Sequence, residues 1–304
     1  MKTESTGIHP ACYSCVISQA CSAAKQAGLN REETQDILDT VARQLLIARF
    51  QPMLVQHIVR KTADTIQGIL RKPDFDIYAE IKKRSHQIAS SFVPGFQAGI
   101  ENSPTPLETA LRITAAGNII DFGAKNHGSL DVRKELSQVD DLRFGHYDFL
   151  PFQESLGHAK HLLYLCDNVG ELDFDKLLMQ EIHKEFPEIH ITAALRESPI
   201  INDATLEDAR EAGIDQVATL ISSGSVYPGT ILPECNVEFQ ELFQHSDVMI
   251  SKGQGNFETL LPHADVRIFF LLRIKCDTMA QLAGQRNGDL VFLQGNHLAP
   301  LKPS

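Results

Sequence analysis

Asp167 and Asn168 stand directly behind a short apolar run, His161–Cys166, in the stretch HLLYLCDNVGELDFDKLLMQEI. The run reads as a buried strand, and Leu172, Leu177, Leu178 and Ile182 beyond it fall at helical spacing. The two polar residues therefore occupy the carboxyl end of a strand, where open α/β sheets place ligands. Their oxygens are hard donors suited to Mg²⁺ or Mn²⁺. Gly170 in the D-N-x-G-E turn, which closes on Glu171, allows the chain to reverse tightly before the helix. An Asx turn that caps the helix accounts for the same residues equally well when they are taken alone.

The loops after the other apolar runs carry chemistry of the same kind. Behind Ile189–Ala194 comes LRESPIINDATLEDA, where Asn202, Asp203 and Thr205 precede a short helix, with helix capping as the plain alternative. Behind Gln216–Ile221 comes SSGSVYPGT, whose Ser222, Ser223, Gly224 and Ser225 can offer backbone N–H groups to an anion, although no Walker sequence is present. Lys252 follows Val248–Ile250 and is flanked by Gly253, Gly255 and Asn256; Lys275 follows Val266–Leu272. Together these groups suit metal-assisted phosphoester hydrolysis. A divalent ion held by Asp167, Asn168 and Asp203 would polarise a phosphoryl oxygen and activate a bound water. Lys252 and Lys275 would neutralise charge on the transferring group. An aspartyl-phosphate route through Asp167 is the rival, but Asn168–Val169 follows where a D-x-D pattern would be needed, so metal-activated water is preferred.

These residues need a scaffold that brings strand ends together. From Ser14 to about Leu70 the pattern is helical, and Ile77–Phe92 and Leu107–Ile120 continue it. The last of these ends in ALRITAAGNIIDFGAKNHG, whose Asn118, Asp121 and Asn126 lie among small residues, as a close approach or an ordinary glycine-capped helix end would require. After a charged connector around Asp131–Asp148, short apolar runs alternate with helices at Phe174–Phe186, Leu206–Ala212, Asn236–Phe243 and Thr278–Leu282. The expected fold class is α/β: a helical N-terminal region over residues 1–130, packed on a mostly parallel sheet with helices on both faces over residues 131–304.

With 304 residues, 43% of them hydrophobic, the chain can bury a substantial core. Its formal net charge of −11 argues against nonspecific binding to nucleic acid or anionic membranes. No run is long enough to span a bilayer, and the polar N-terminus does not read as a secretory signal, so a cytoplasmic location is expected. Six cysteines in a chain of this length form no disulfide framework, and Cys12–Cys15 is a C-x-x-C pair without an obvious second half.

The motifs AGNIIDFGA, CDNVGELDFDKLL, ESPIINDATLEDA and ISKGQGNFETL, in this order along the chain, resemble the damage-control phosphatases, also known as domain of unknown function 89. The C-x-x-C resembles that of the family's stand-alone prokaryotic-type branch. The resemblance covers nearly the whole chain. It implies a Rossmann-like α/β domain behind a helical region, and a phosphatase that uses one divalent metal ion (Mg, Mn, Co or Ni). The expected substrate is a small phosphorylated metabolite, either a sugar phosphate or a damaged cofactor precursor. The implied metal ligands are Asp167, Asn168 and Asp203, and Lys252 joins them as catalytic. Gly253, Asn256 and Lys275 match substrate and phosphate contacts, Asn118 and Asp121 match the A-G-N-x-x-D motif, and Glu171, Ser223 and Gly224 complete the expected substrate surface. Where the sugar-phosphate-cleaving eukaryotic branch has K-G-D-L-N-Y-R, this chain has Gln254, Gly255, Asn256, Phe257 and Glu258 after Lys252–Gly253, so that branch's preference does not transfer. The alternative is a module that binds a phosphometabolite or nucleotide without cleaving it.

Overall fold

The computed structural model describes residues 8–125 and 142–298, with the backbone alone for residues 118–125. Three N-terminal helices, α1 (Ala11–Gln26), α2 (Arg31–Ile47) and α3 (Val55–Leu70), enclose a core of their own that includes Val16, Ile37, Val41, Leu45, Ile58 and Ile66. The four-residue spacing of Ile37, Val41 and Leu45 puts them on one face of α2. Asn30 starts that helix: its side-chain oxygen accepts the amides of Glu32 and Glu33, while Glu33 accepts the amide of Asn30. This reciprocal cap satisfies donors that a helix N-terminus leaves open.

The next three helices, α4 (Ala79–Ser90), α5 (Val93–Glu101) and α6 (Pro106–Lys125), belong to the sheet instead. Ala89, Ile100, Leu107, Leu111 and Ala115 share one apolar cluster with Leu162, Tyr164, Phe174 and Leu178. Small residues on α6 permit close approach; a Cβ on Gly117 would lie 3.2 Å from Cγ of Glu171.

Seven strands follow among the described residues: β1 (Phe144–Tyr147), β2 (His161–Leu165), β3 (His190–Leu195), β4 (Thr219–Ser222), β5 (Val248–Lys252), β6 (Ile268–Arg273) and β7 (Leu290–Gln294). Their order is β1-β7-β6-β5-β2-β3-β4. The run β6-β5-β2-β3-β4 is parallel, β7 is antiparallel to β6, and β1 runs with β7. Helices α7 (Phe149–Leu156), α8 (Leu172–Glu185), α9 (Leu206–Glu211), α10 (Val237–His245), α11 (Gly253–Leu260) and α12 (Asp277–Ala283) connect them. Leu162 and Tyr164 of β2 enter one cluster and Leu163 and Leu165 the other, so the period of two buries both faces. The chain runs outward through β2, β3 and β4, then returns to place β5 on the other flank of β2. That reversal opens a crevice beyond the carboxyl ends of β2 and β5.

The expected α/β architecture is present, with additions. Strand β1 lies at the end of the charged connector, and its sequence Phe-Gly-His-Tyr is too short and mixed to show a period. Helices α7 and α11 also exceed the sequence reading; α11 starts with three small or polar residues, so its apolar face is thin. Strand β4 begins at Thr219, because Ile214–Gln216 form a 3₁₀ turn after Gly213, whose φ is +73°. No helix among the described residues is long and apolar enough to cross a membrane.

Candidate active site

Two loops are stitched together at the crevice. Asp167 and Asn168 leave β2, and the loop after β3 returns to lie antiparallel beside them, with Asn168 bridged to Asp203. The amide of Ala204 donates to the Asp167 carbonyl at 2.7 Å, and that of Val169 to the Asn202 carbonyl at 3.1 Å. The N-D pair of one loop is thereby laid against the D-N pair of the other. Asp167, Asn168 and Asp203 are all buried. Two residues further on, Thr205 caps α9 in a reciprocal arrangement with Asp208. Capping therefore accounts for Thr205 and leaves Asp203 to the crevice.

A chain of hydrogen bonds fixes these groups. Asn168 donates its amide hydrogens to Asp167 Oδ2 and Glu171 Oε1, both at 2.9 Å. The other oxygen of Glu171 accepts from Lys252 Nζ at 2.7 Å, and Lys252 also donates to Asp175 Oδ1 at 2.6 Å. Tyr164 completes the set by donating to the same Asp175 oxygen at 2.6 Å. Lys252, Glu171 and Asp175 are wholly buried. Burial alone would favour a neutral amine, but Asp175 and then Glu171 outweigh it and hold Lys252 above the ordinary lysine range. On the other side, Arg196 donates from Nε to Asp203 Oδ2 at 2.8 Å and reaches Thr230 and Asn256 with its remaining nitrogens. Asn256 accepts from Arg196 and Thr230 and donates to the carbonyls of Lys252 and Cys166. Both its hydrogens and both its lone pairs are used inside the protein.

The charge around Asp167 is lopsided. Burial, then the neighbouring Asp203 and Glu171, push its pKa well up, while Lys275 and Arg196 pull the other way. The residue opposite must be glycine: a Cβ on Gly253 would collide with the Asp167 carboxylate, and its φ of +78° disfavours any side chain. Carboxylate and amide oxygens clustered in this way are the donor type that a hard divalent cation takes.

The sequence profile of the damage-control phosphatase ARMT1-like domain matches residues 8–291. The chain belongs to that family. It is 30% identical to a damage-control phosphatase of Archaeoglobus fulgidus, over 93% of this chain and 98% of the relative. A damage-control phosphatase of Pyrococcus horikoshii is 35% identical over 72% of this chain and 75% of its own. An uncharacterized protein of Methanocaldococcus jannaschii is 32% identical over 96% of both chains. The crystal structure of a DUF89 family protein from Pyrococcus horikoshii superposes with a TM-score of 0.83 at 29% identity, covering 95% of this chain and 99% of that one.

Within this damage-control phosphatase fold, the remaining predicted residues separate. Lys275 is exposed; its backbone amide donates to Gln254 at 2.7 Å, and its charge acts on Asp167. Ser223 is buried and donates to the Leu195 carbonyl, while Gly224, at φ +73°, is packed against Asn236. The described contacts of these two residues thus go to the end of β3 and the start of α10. Asn118 and Asp121 lie on the last turns of α6, where side chains are outside the described residues, as is Asn126 altogether.

The sequence reading gives no site role to Arg196, Asp175 or Tyr164, and names Glu258 only as a departure from the K-G-D-L-N-Y-R pattern. Arg196 ends an apolar run, the same signal that marked Lys252, and Asp175 stands four residues after Glu171 on one helical face. Glu258 is held by Gln254 and by Gln56 of α3, each at 2.8 Å, so the N-terminal helices reach the rim of the site. Burial pushes its carboxyl up despite these bonds and Lys275. Cys12, half-buried beside this rim, is also raised, by burial first and then by Glu258, Cys276 and Cys15. All six cysteines are free thiols.

Proposed function

We propose that this chain is a divalent-metal-dependent phosphatase acting on a small phosphorylated metabolite, a sugar phosphate or a damaged cofactor precursor. The observation that carries this reading is the meeting of Asp167, Asn168 and Asp203, from two loops, at the reversal point of the sheet. The relatives named damage-control phosphatases support the reaction class. These three residues would hold the ion (Mg, Mn, Co or Ni), which when bound supplies a Lewis acid for a phosphoryl oxygen and a water of lowered pKa.

The protein's own groups divide the remaining work. Asn168 orients the Asp167 carboxylate, and Glu171, itself gripped by Lys252, orients Asn168. Arg196 does the same for Asp203. In this reading Lys252 acts by charge and position, since its described bonds go to Glu171 and Asp175 rather than outward. Asn256 positions the Lys252–Gly253 turn and the end of β2. Lys275, exposed beside Asp167, is the cation placed for phosphoryl charge. No side chain caps the start of α11 at Gly253, so its first amides suit phosphate oxygens. Gly117 of A-G-N-x-x-D packs on Glu171, which brings the backbone carrying Asn118 and Asp121 toward the substrate side. Ser223 and Gly224 would act through the loop after β4.

The test is release of orthophosphate from a phosphometabolite panel by chelated protein, with each metal added back. Metal-restored release that falls at least about a hundredfold in Asp167→Asn and Asp203→Asn is expected. Release that needs no metal, or unchanged kcat/KM in both variants, would overturn it. Thermal stabilisation by a phosphometabolite with no release would favour the binding module.

A further inference from the structure

We propose that His146, Asp148 and His297 form a second divalent-metal site, built for a borderline ion of the Zn²⁺ class, at the sheet edge opposite Asp167. This site is independent of the phosphatase reading. His146 lies in β1, Asp148 follows β1 directly, and His297 sits in the 3₁₀ turn Gly295–His297 that follows β7. Because β1 and β7 run against the other five strands, their carboxyl ends lie at the edge where β2, β5 and β6 begin. The site is therefore separated from Asp167 and Asp203 by the length of the sheet.

The three ligating atoms lie within 4.8 Å of one another. His297 Nδ1 is 2.8 Å from Asp148 Oδ2 and His146 Nε2 is 2.8 Å from Asp148 Oδ1, so each histidine addresses a different oxygen of one carboxylate. The backbone aims that carboxylate: the Gln294 amide donates to Oδ2 at 2.8 Å, and the Asp148 amide donates to the Phe292 carbonyl at 2.8 Å. The contact with His146 is the telling one. Its Nε2 is shielded from solvent and lies 2.8 Å from Asp148 Oδ1, with the ring off the line of a straight hydrogen bond. An imidazole nitrogen and a carboxylate oxygen held this close and off the hydrogen-bond line are a pair of donor atoms that a cation would bridge.

The donor set decides the ion. Two imidazoles and one carboxylate are the three-protein-ligand pattern of open zinc sites, and imidazole favours Zn²⁺, Co²⁺ or Ni²⁺ over Mg²⁺. The oxygen-only group at Asp167 favours Mg²⁺ or Mn²⁺. With His297 42% exposed, coordination positions stay open to water. Bound there, the ion ties the four-residue strand β1 to the turn after β7.

The test uses tag-free, chelated full-length protein in millimolar Mg²⁺, titrated with Co²⁺ and then Zn²⁺, read by cobalt visible absorption and calorimetry. One equivalent is expected to bind despite the excess Mg²⁺, to raise Tm, and to bind at least about tenfold more weakly in His297→Ala and in His146→Ala. Asp203→Asn should retain it. His297 is exposed enough for its alanine variant to fold. Equal Co²⁺ and Zn²⁺ binding in the parent and both histidine variants would overturn the proposal, leaving a hydrogen-bonded histidine–aspartate cluster only.

Discussion

At the scale of single residues, the site is a set of charges that stabilise one another only as a group. Lys252 between Glu171 and Asp175 is the clearest case, because all three are wholly buried. Replacing Lys252 with Met leaves two carboxylates without a counter-charge and should cost about 3–5 kcal/mol in denaturant unfolding. A loss under about 1 kcal/mol would mean that the carboxylates find another partner or a proton. Asp167 gives a pH signature. Burial, Asp203 and Glu171 raise its pKa, so the folded state keeps a proton that the unfolded chain has already released. Stability of the metal-free protein should therefore fall as pH rises from the ordinary carboxylate range through the raised value. Asp167→Asn removes that component, so its stability-versus-pH curve should be flatter than the parent's in this window. Parallel curves would refute the assignment.

At the scale of elements, what positions the site is strand ends and helix starts. The ladder between the loops after β2 and β3 works because β2 and β3 are parallel neighbours whose carboxyl ends emerge side by side. Gly253 lets α11 begin against Asp167, where any Cβ would collide. The start of α2 belongs to the N-terminal core. Asn30→Ala removes the cap of α2 and should lower stability by about 1 kcal/mol, with phosphate release per folded molecule unchanged. A drop in kcat/KM would show that the N-terminal core and the site are coupled.

Across the whole molecule, the helices are joined to the sheet by a few polar contacts as well as by packing. Gln56 reaches Glu258, Arg60 reaches Ser198, and Lys82 links Asp76 to Asp208 of α9. Lys82 is buried while its partners keep some solvent, so Lys82→Met should cost about 1–3 kcal/mol. The measurement is Tm together with protease resistance of the junction; an unchanged Tm would assign the docking to apolar contact alone. Apolar contact is extensive on α4–α6, where Ala89, Ile100, Ala110 and Ala115 share the core of the sheet, whereas α1–α3 keep a core of their own.

The alternating apolar runs and helical periods settled the α/β class in advance, because burial on both sheet faces writes itself into composition. The polar residues after each run put Asp167, Asn168 and Lys252 at strand ends and Asp203 in the loop beyond β3, for the same local reason. Their partners were a different matter. That Lys252 turns to Glu171 and Asp175, that Arg196 holds Asp203, and that Asn256 is spent entirely inside the protein depend on which loops meet, and strand order decides that. The His146–Asp148–His297 cluster joins residues about 150 positions apart through the pairing of β1 with β7. Local sequence reports what a residue can donate or accept; only the tertiary structure decides which charge stands opposite it, because electrostatic partners are chosen by distance in space.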